Sequence, residues 1–405
     1  MGRDYDIVLF GATGFTGELT AAYLLSHAPA GARIALAGRS LEKLEAVRAR
    51  LAAADPTVAE VPLLLADATD PESLGVLAAS TRVIVSTVGP YVLHGEPLVA
   101  ACAAAGTDYL DLCGEPEFVD NMYLRYHEQA RETGARLVHS CGFDSIPYDI
   151  GALFTIDAIG DSDVPVALQG FGLMSGSVSG GTFRSLVTAL GRLKESGRAS
   201  RHRRSVERHA EDGKLAEGRT VRGVAQRPHR EPLVKGWVVS APTIDPQHVL
   251  RTARLDPSYG PEFSYGHHIV TKRLTSTVWL GLSLFVIATF SQVGPTRRLV
   301  LLFKRPGSGP SAAKRAKGFF RVTFAADVGD RRSRRRVITQ VSGGDPGYGD
   351  TAKMLSESAL CLAFDVVPAP GGGQWTPAIA LGRPLLARLQ AAGVEFRVVD
   401  DGQAD

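Results

Sequence analysis

Residues Ile7 to Gly17 read IVLFGATGFTG, and no other stretch restricts the possible folds as tightly. An apolar run from Ile7 to Phe10 stops at Gly11. Gly14 and Gly17 follow, and an apolar-periodic segment through Leu19, Tyr23 and Leu24 comes next. That order predicts a buried strand, a tight turn and a helix start. Glycines admit positive φ and a close backbone approach, while a helix N-terminus offers unpaired N–H groups and partial positive charge. The turn Gly11–Gly17, with Thr13, Phe15 and Thr16 between its glycines, therefore suits a dinucleotide pyrophosphate. The GxxGxxG spacing is looser than GxGxxG, so an ordinary glycine-rich strand-to-helix turn is the competing reading.

The next strand, expected at Ile34 to Ala37, ends in Gly38, Arg39 and Ser40 rather than in an acid. A carboxylate there would accept the ribose hydroxyls of NAD and repel a 2′-phosphate. Arg39 and the Ser40 hydroxyl instead favour NADP over NAD, and Ser40 also suits the cap of a helix beginning at Leu41. Further strands are expected at Val61–Ala66, Arg82–Val88, Tyr109–Leu112 and Arg136–His139, with helices at Pro97–Ala105 and Glu117–Thr133. Asp67 and Ala68 would meet the adenine. Thr87, Gly89 and Pro90 would meet the nicotinamide ribose. This rhythm predicts an α/β fold: an N-terminal Rossmann doubly wound parallel sheet, then a second α/β (α+β) domain. The expected divisions are 1–145, 146–345 and 346–405, the last being helices that pack back on the first.

The chain has 405 residues and a net charge of +3, so overall charge does not point to nucleic acid. Four scattered cysteines without a CxxC pair argue for a reducing, cytoplasmic setting and against disulfides or a zinc site. Asp4 and Asp6 precede the first strand and no long apolar run follows, so no signal peptide is expected. Leu274 to Thr296 carries no charged side chain and is followed by the apolar run Leu299–Phe303. Its strongly apolar part is short for a membrane span. It reads as a buried core helix, as a flap for an acyl chain or for the inner face of the plasma membrane, or as a transmembrane helix. Arg192 to Arg208 holds seven Lys/Arg against two Glu, and Arg331 to Arg336 adds five arginines. These read as solvated surface or as a landing zone for an acidic carrier protein, a phosphate or anionic lipid. Gly197 to Arg230 reads as an exposed, mobile excursion.

In an open parallel sheet, ligands lie beyond the carboxyl ends of the strands. Tyr91 and His94 follow the fourth strand, with Tyr91 a proton donor or a packing partner of the nicotinamide. The segment His139–Asp149, HSCGFDSIPYD, follows the sixth. There Asp144 either caps the next helix or touches cofactor or substrate, and Tyr148 is a candidate oxyanion donor. Ser175–Arg184, SGSVSGGTFR, is a glycine-rich turn entering a helix. The backbone of Gly180, Gly181 and Thr182 would bind a substrate carboxylate or enolate oxygen, and Arg184 would favour an anionic ligand.

The motifs GATGFTG, AGRS, TVGPY, YLDLCGE, CGFDSIPYDIG, SGGT and GYGDTAKM occur in the order seen in saccharopine dehydrogenase-like oxidoreductases. PGSGPSAAKRAKGFF and WTPAIALGRPLLARLQAAGVEF resemble the actinobacterial branch called trans-acting enoyl reductases. That resemblance implies NADPH-dependent reduction of an enoyl thioester carried by a lipid-type polyketide synthase. Two rival readings remain open: a saccharopine-type C–N dehydrogenase and a non-catalytic NADPH-binding protein at a lipid surface.

Overall fold

The computed structural model describes residues 2–160, 163–176, 180–208, 218–241, 243–292, 296–297, 310–330 and 335–402. Strands β1 (Tyr5–Phe10), β2 (Ile34–Gly38), β3 (Leu63–Leu65), β4 (Thr81–Ser86), β5 (Asp108–Asp111) and β6 (Arg136–Val138) are all parallel. Helices α1 (Phe15–His27), α2 (Leu41–Ala52), α3 (Pro71–Ser80), α4 (Tyr91–His94), α5 (Glu96–Ala105) and α6 (Pro116–Thr133) connect them. Asp6 to Phe10 is buried throughout, as expected for a central strand covered on both faces. The strand order β6-β5-β4-β1-β2-β3 reverses between β1 and β4. That switch point opens a crevice at the carboxyl ends of the strands.

Helix α7 (Ile146–Ile159) leaves this sheet and enters a second, mixed one. Its strands are β7 (Val166–Ser175), β8 (Thr220–Gly223), β9 (His229–Glu231), β10 (Gly236–Ser240), β11 (Glu262–Thr271), β12 (Phe319–Val328) and β13 (Arg335–Gly343). The order is β13-β12-β7-β11-β10-β9, with β8 beside β11. Helices α8 (Gly180–Leu190), α9 (Leu193–Glu207), α10 (Asp245–Leu255) and α11 (Leu274–Ser291) are inserted among these strands.

The C-terminal segment serves both sheets. Helix Gly349–Phe364 packs on α1 and β4, as expected of a segment folding back. The short strand β14 (Gly373–Trp375) then adds a parallel seventh strand beside β6. After helices Pro377–Ala380 and Gly382–Ala391, strand β15 (Glu395–Asp400) pairs with β13 at the edge of the second sheet. Helices alone were expected here. Helices Pro377–Ala380 and Gly382–Ala391 are kept apart by Gly382, whose φ of 52° is left-handed.

Two further expectations are revised. Helix α11 is not core: Trp279 and Phe285 are each 69% exposed, and Val278, Leu282 and Phe290 also face outward. It is long and apolar enough to cross a membrane, a test that other apolar helices also pass. The run Leu299–Phe303 and residues 331–334 of the arginine cluster lie outside the described residues. The polar excursion expected from Gly197 is instead anchored at its start. Arg203 on α9 is 2% exposed, donates to Asp120 and Glu207 and stacks over the Tyr123 ring.

Candidate active site

The glycine turn is built by exclusion. A Cβ on Gly17 would fall 2.1 Å from the Gly11 carbonyl oxygen, so α1 starts directly against the turn. Gly11 has a φ of 91°, and a Cβ there would meet Thr87 Oγ1 and Val88 Cγ2 at 2.7 Å. Thr87 Oγ1 donates to the Gly11 carbonyl at 3.1 Å and ties the turn to the end of β4. Gly14 is exposed and caps α1 without a side chain, whereas Ser40 and Asp70 cap α2 and α3 with theirs. The first-turn N–H groups of α1 therefore lack a side-chain cap, as a phosphate site requires. Thr13 stands behind the turn near Gly38, and Phe15 and Thr16 line the cleft.

Ser40 Oγ accepts from Lys43 N at 3.4 Å, and Arg39 is exposed beside it. Asp67 turns its carboxylate on its own loop, accepting from Thr69 N and Oγ1 at 2.8 and 2.7 Å. Those bonds hold its pKa below the usual range, with a smaller contribution from Arg39. Ala68 is half-buried behind it.

A cleft of about 630 Å³ runs from this turn past Thr87, Gly89 and Pro90. Tyr91 forms part of its wall, but its hydroxyl is committed to the backbone. It donates to Ser86 O at 3.0 Å and accepts from Leu112 N at 3.1 Å. Burial holds the phenol far above its ordinary pKa. His94 is exposed at the rim. Tyr148 is buried behind the cleft, with its hydroxyl where a Cβ on Gly172 would lie, and does not line it. The oxyanion role expected of Tyr148 is therefore not supported by its position.

Glu115, one of the residues just after the fifth strand, organises this corner. Its oxygens accept from Tyr91 N at 3.0 Å, Val92 N at 2.9 Å and Ser185 Oγ at 2.8 Å. One carboxylate thus joins α4, the start of α6 and α8. Burial raises its pKa against the lowering effect of these bonds.

The opposite wall is α8. Leu186, Ala189 and Leu190, with Leu193 at the start of α9, face the cleft, and Arg184 lies beside them. Gly180, Gly181 and Thr182 form the first turn of α8, and part of the glycine-rich turn before it lies outside the described residues.

Two carboxyl groups complete the cleft. Asp144 was expected either to cap α7 or to touch a ligand. It makes no cap, and neither does Ser145, the residue at the cap position. No donor reaches the Asp144 carboxyl among the described residues. Asp144 is exposed to the cleft, and its Oδ2 lies 3.2 Å from where a Gly114 Cβ would stand. Burial, aided by Asp245, pushes its pKa up to about 7. Asp245, at the start of α10, is 5% exposed and its Oδ1 has no partner. Burial raises Asp245 to about 6, against a hydrogen bond from Thr243. Sequence reasoning missed Asp245 because no strand-end rule reaches the second half of the chain.

Comparison with known proteins agrees with this geometry. Residues 7–138 match the saccharopine dehydrogenase NADP-binding domain. A trans-acting enoyl reductase of Mycobacterium tuberculosis is 37% identical, with 97% of each chain covered. The chain belongs to the trans-acting enoyl reductase family. A second M. tuberculosis relative is 40% identical over 98% of this chain and 97% of its own, and one from Mycobacterium ulcerans is 36% identical over 97% of each. Apo saccharopine dehydrogenase from Saccharomyces cerevisiae shares the fold, with a TM-score of 0.54 at 13% identity, covering 97% of this chain and 99% of that one. The protein is an oxidoreductase whose cofactor is NADP(H). The uncapped α1 terminus and the glycines that no Cβ could replace fit the pyrophosphate, and the exposed Arg39 in place of an acid fits the 2′-phosphate.

Proposed function

We propose that this enzyme reduces the carbon–carbon double bond of an α,β-unsaturated acyl thioester. NADPH supplies a hydride when bound. Gly11, Gly14 and Gly17 would hold its pyrophosphate, and Arg39 with Ser40 its 2′-phosphate. Thr87, Gly89, Pro90 and the Tyr91 ring would frame the nicotinamide end.

The observation that carries this reading is the composition of the cleft. Leu186, Ala189, Leu190 and Leu193 make a continuous apolar wall, and Arg184 is its one arginine among the described lining residues. An apolar wall excludes water and holds an acyl chain. A saccharopine-type amino-acid dehydrogenase needs several cations for its carboxylates, and the acids Asp144 and Asp245 do not supply them. The relatives' printed name, trans-acting enoyl reductase, supports the same reading.

The reading extends to delivery. Leu193 and Ser196 bring the start of α9 to the cleft, and Lys194, Arg198 and Arg201 are exposed on that helix. Such a basic ridge suits an acidic carrier protein of a polyketide synthase presenting its thioester. Reversing these three charges should raise KM for carrier-bound substrate and leave KM for a free thioester unchanged. The exposed α11 suits peripheral contact with a lipid surface, which co-sedimentation of wild type and Trp279→Glu with anionic vesicles tests.

The test of function is NADPH oxidation with enoyl thioesters of graded chain length. Turnover that improves with chain length supports the reading. NADPH binding without oxidation of any of them refutes it, and oxidation only with amino and keto acids transfers the protein to the rival class.

A further inference from the structure

Resting on that reading, we propose that Asp144 is the acid that protonates the α-carbon of the reduced acyl group, with Asp245 as the positioning residue that keeps its proton in place. Four observations carry this.

First, the other proton donors of the site are committed or displaced. The Tyr91 hydroxyl is held by Ser86 O and Leu112 N, and Tyr148 is walled off against Gly172. His94 sits at the exposed rim. Second, Asp144 opens into the cleft beyond β6, next to the Gly89–Tyr91 turn and Gly114, and among the described residues it has no donor. A carboxylate in such a place would be stabilised only by water, whereas a protonated carboxyl carries its own donor for a ligand. Third, Asp245 is almost fully buried, aimed into the same cleft, and keeps Oδ1 without a partner. Its Oδ2 lies 3.7 Å from His267 Nε2. Fourth, His267 is buried, and burial lowers its pKa to about 4, so it stays neutral and does not cancel the two acids. Two carboxyl groups that repel one another and lack cations retain a proton between them near neutrality.

The other ionisable groups facing this corner do not change that balance. Tyr148 from α7 and Tyr265 from β11 are buried and neutral. Glu115 is committed to Tyr91, Val92 and Ser185. Arg184 from α8 and His94 from α4 line the outer part of the cleft.

The step balances. The hydride brings an electron pair to the β-carbon, and the double-bond pair moves to the α-carbon and thioester oxygen. The Asp144 O–H bond then breaks as the α-carbon C–H bond forms. NADPH becomes NADP⁺, the acyl group gains two electrons, and Asp144 recovers its proton from solvent at the cleft mouth. General acids placed this way contribute about 10²- to 10⁴-fold.

The test pairs kinetics with a readout that needs no substrate. In the apo protein, infrared difference spectra against pH should show a protonated-carboxyl component that titrates near pH 7, above the Asp245 component near 6, and that is missing from Asp144→Asn. Asp245→Asn removes a like charge, so the Asp144 band should disappear at lower pH. In turnover, Asp144→Asn should lower kcat about 10²-fold or more while NADPH affinity, read by fluorescence, changes less than about threefold. The alkaline limb of the wild-type kcat profile should move to lower pH in Asp245→Asn. Wild-type kcat in Asp144→Asn, or loss of turnover only in His94→Ala, overturns the proposal and leaves enoyl reduction standing. If the wild type reduces no enoyl thioester but the infrared band behaves as described, the function has failed rather than the assignment of the acid.

Discussion

Two acids at neighbouring strand ends have opposite surroundings. Asp111, at the end of β5, is fully buried and each oxygen is taken. Oδ1 accepts from Cys113 N and Ser140 N at 2.9 Å, and Oδ2 meets His139 Nδ1 at 2.7 Å. Ser140 extends this network, donating to Cys113 O at 2.5 Å and meeting His248 Nε2 at 3.0 Å. Asp144, after β6, opens to the cleft and has none of this. Donors turn a buried acid into a joint between loops; their absence leaves it for a ligand and a proton. The contrast separates scaffold from chemistry in a site where both are carboxyl groups.

The comparison makes graded predictions. Asp111→Ala strands His139 and two backbone N–H groups, and should lower unfolding stability by about 3–5 kcal/mol in urea titration. A loss below about 1 kcal/mol would remove Asp111 from the scaffold. Glu115 is intermediate, being buried but holding three donors. Glu115→Gln turns an NH₂ group toward at least one of them and should cost about 1–3 kcal/mol. It should also raise KM for NADPH, since Tyr91 and α8 lose their common anchor. Ser185→Ala removes one of those bonds and should cost about 1 kcal/mol, with the same direction in KM.

The last effect has the most diagnostic sign. Asp144 has a folded pKa of about 7, above the ordinary carboxylate value. The folded state therefore binds this proton more tightly than the unfolded chain does. The stability it contributes is full below about pH 4 and lost as pH rises through about 7. Asp144→Asn should match wild type at pH 4 and exceed it at pH 8, by thermal or urea midpoint. An Asn variant less stable at pH 8 than wild type would place a donor on Asp144 after all.

The Rossmann half was legible because its signals are local. Glycines at 11, 14 and 17, apolar runs and the absence of an acid after β2 each act within one strand–turn–helix unit. Glu115, Ser185 and Asp245 were harder to read because distant segments bring them together: α8 and α10 reach the cleft through the second sheet. Tyr91 was visible as a strand-end residue, but the use of its hydroxyl depends on Leu112, just past the end of β5. Apolar helices show the same limit. Helices α7 and α11 both lack a polar stripe, yet Ile146–Ile159 is buried against β12 and β13 whereas Trp279 and Phe285 of α11 face outward. Composition did not distinguish them; their neighbours did. Strand β14 has three residues, too few for a periodic signal.

The central claim is that this cleft saturates an enoyl thioester with hydride from NADPH. Incubating a long-chain enoyl thioester with NADPH deuterated at the transferable position, then locating the label by mass spectrometry and NMR, tests it most directly. The account predicts one deuterium on the β-carbon and a solvent-derived hydrogen on the α-carbon. Recovery of unlabelled enoyl thioester from a protein that binds NADPH would contradict it.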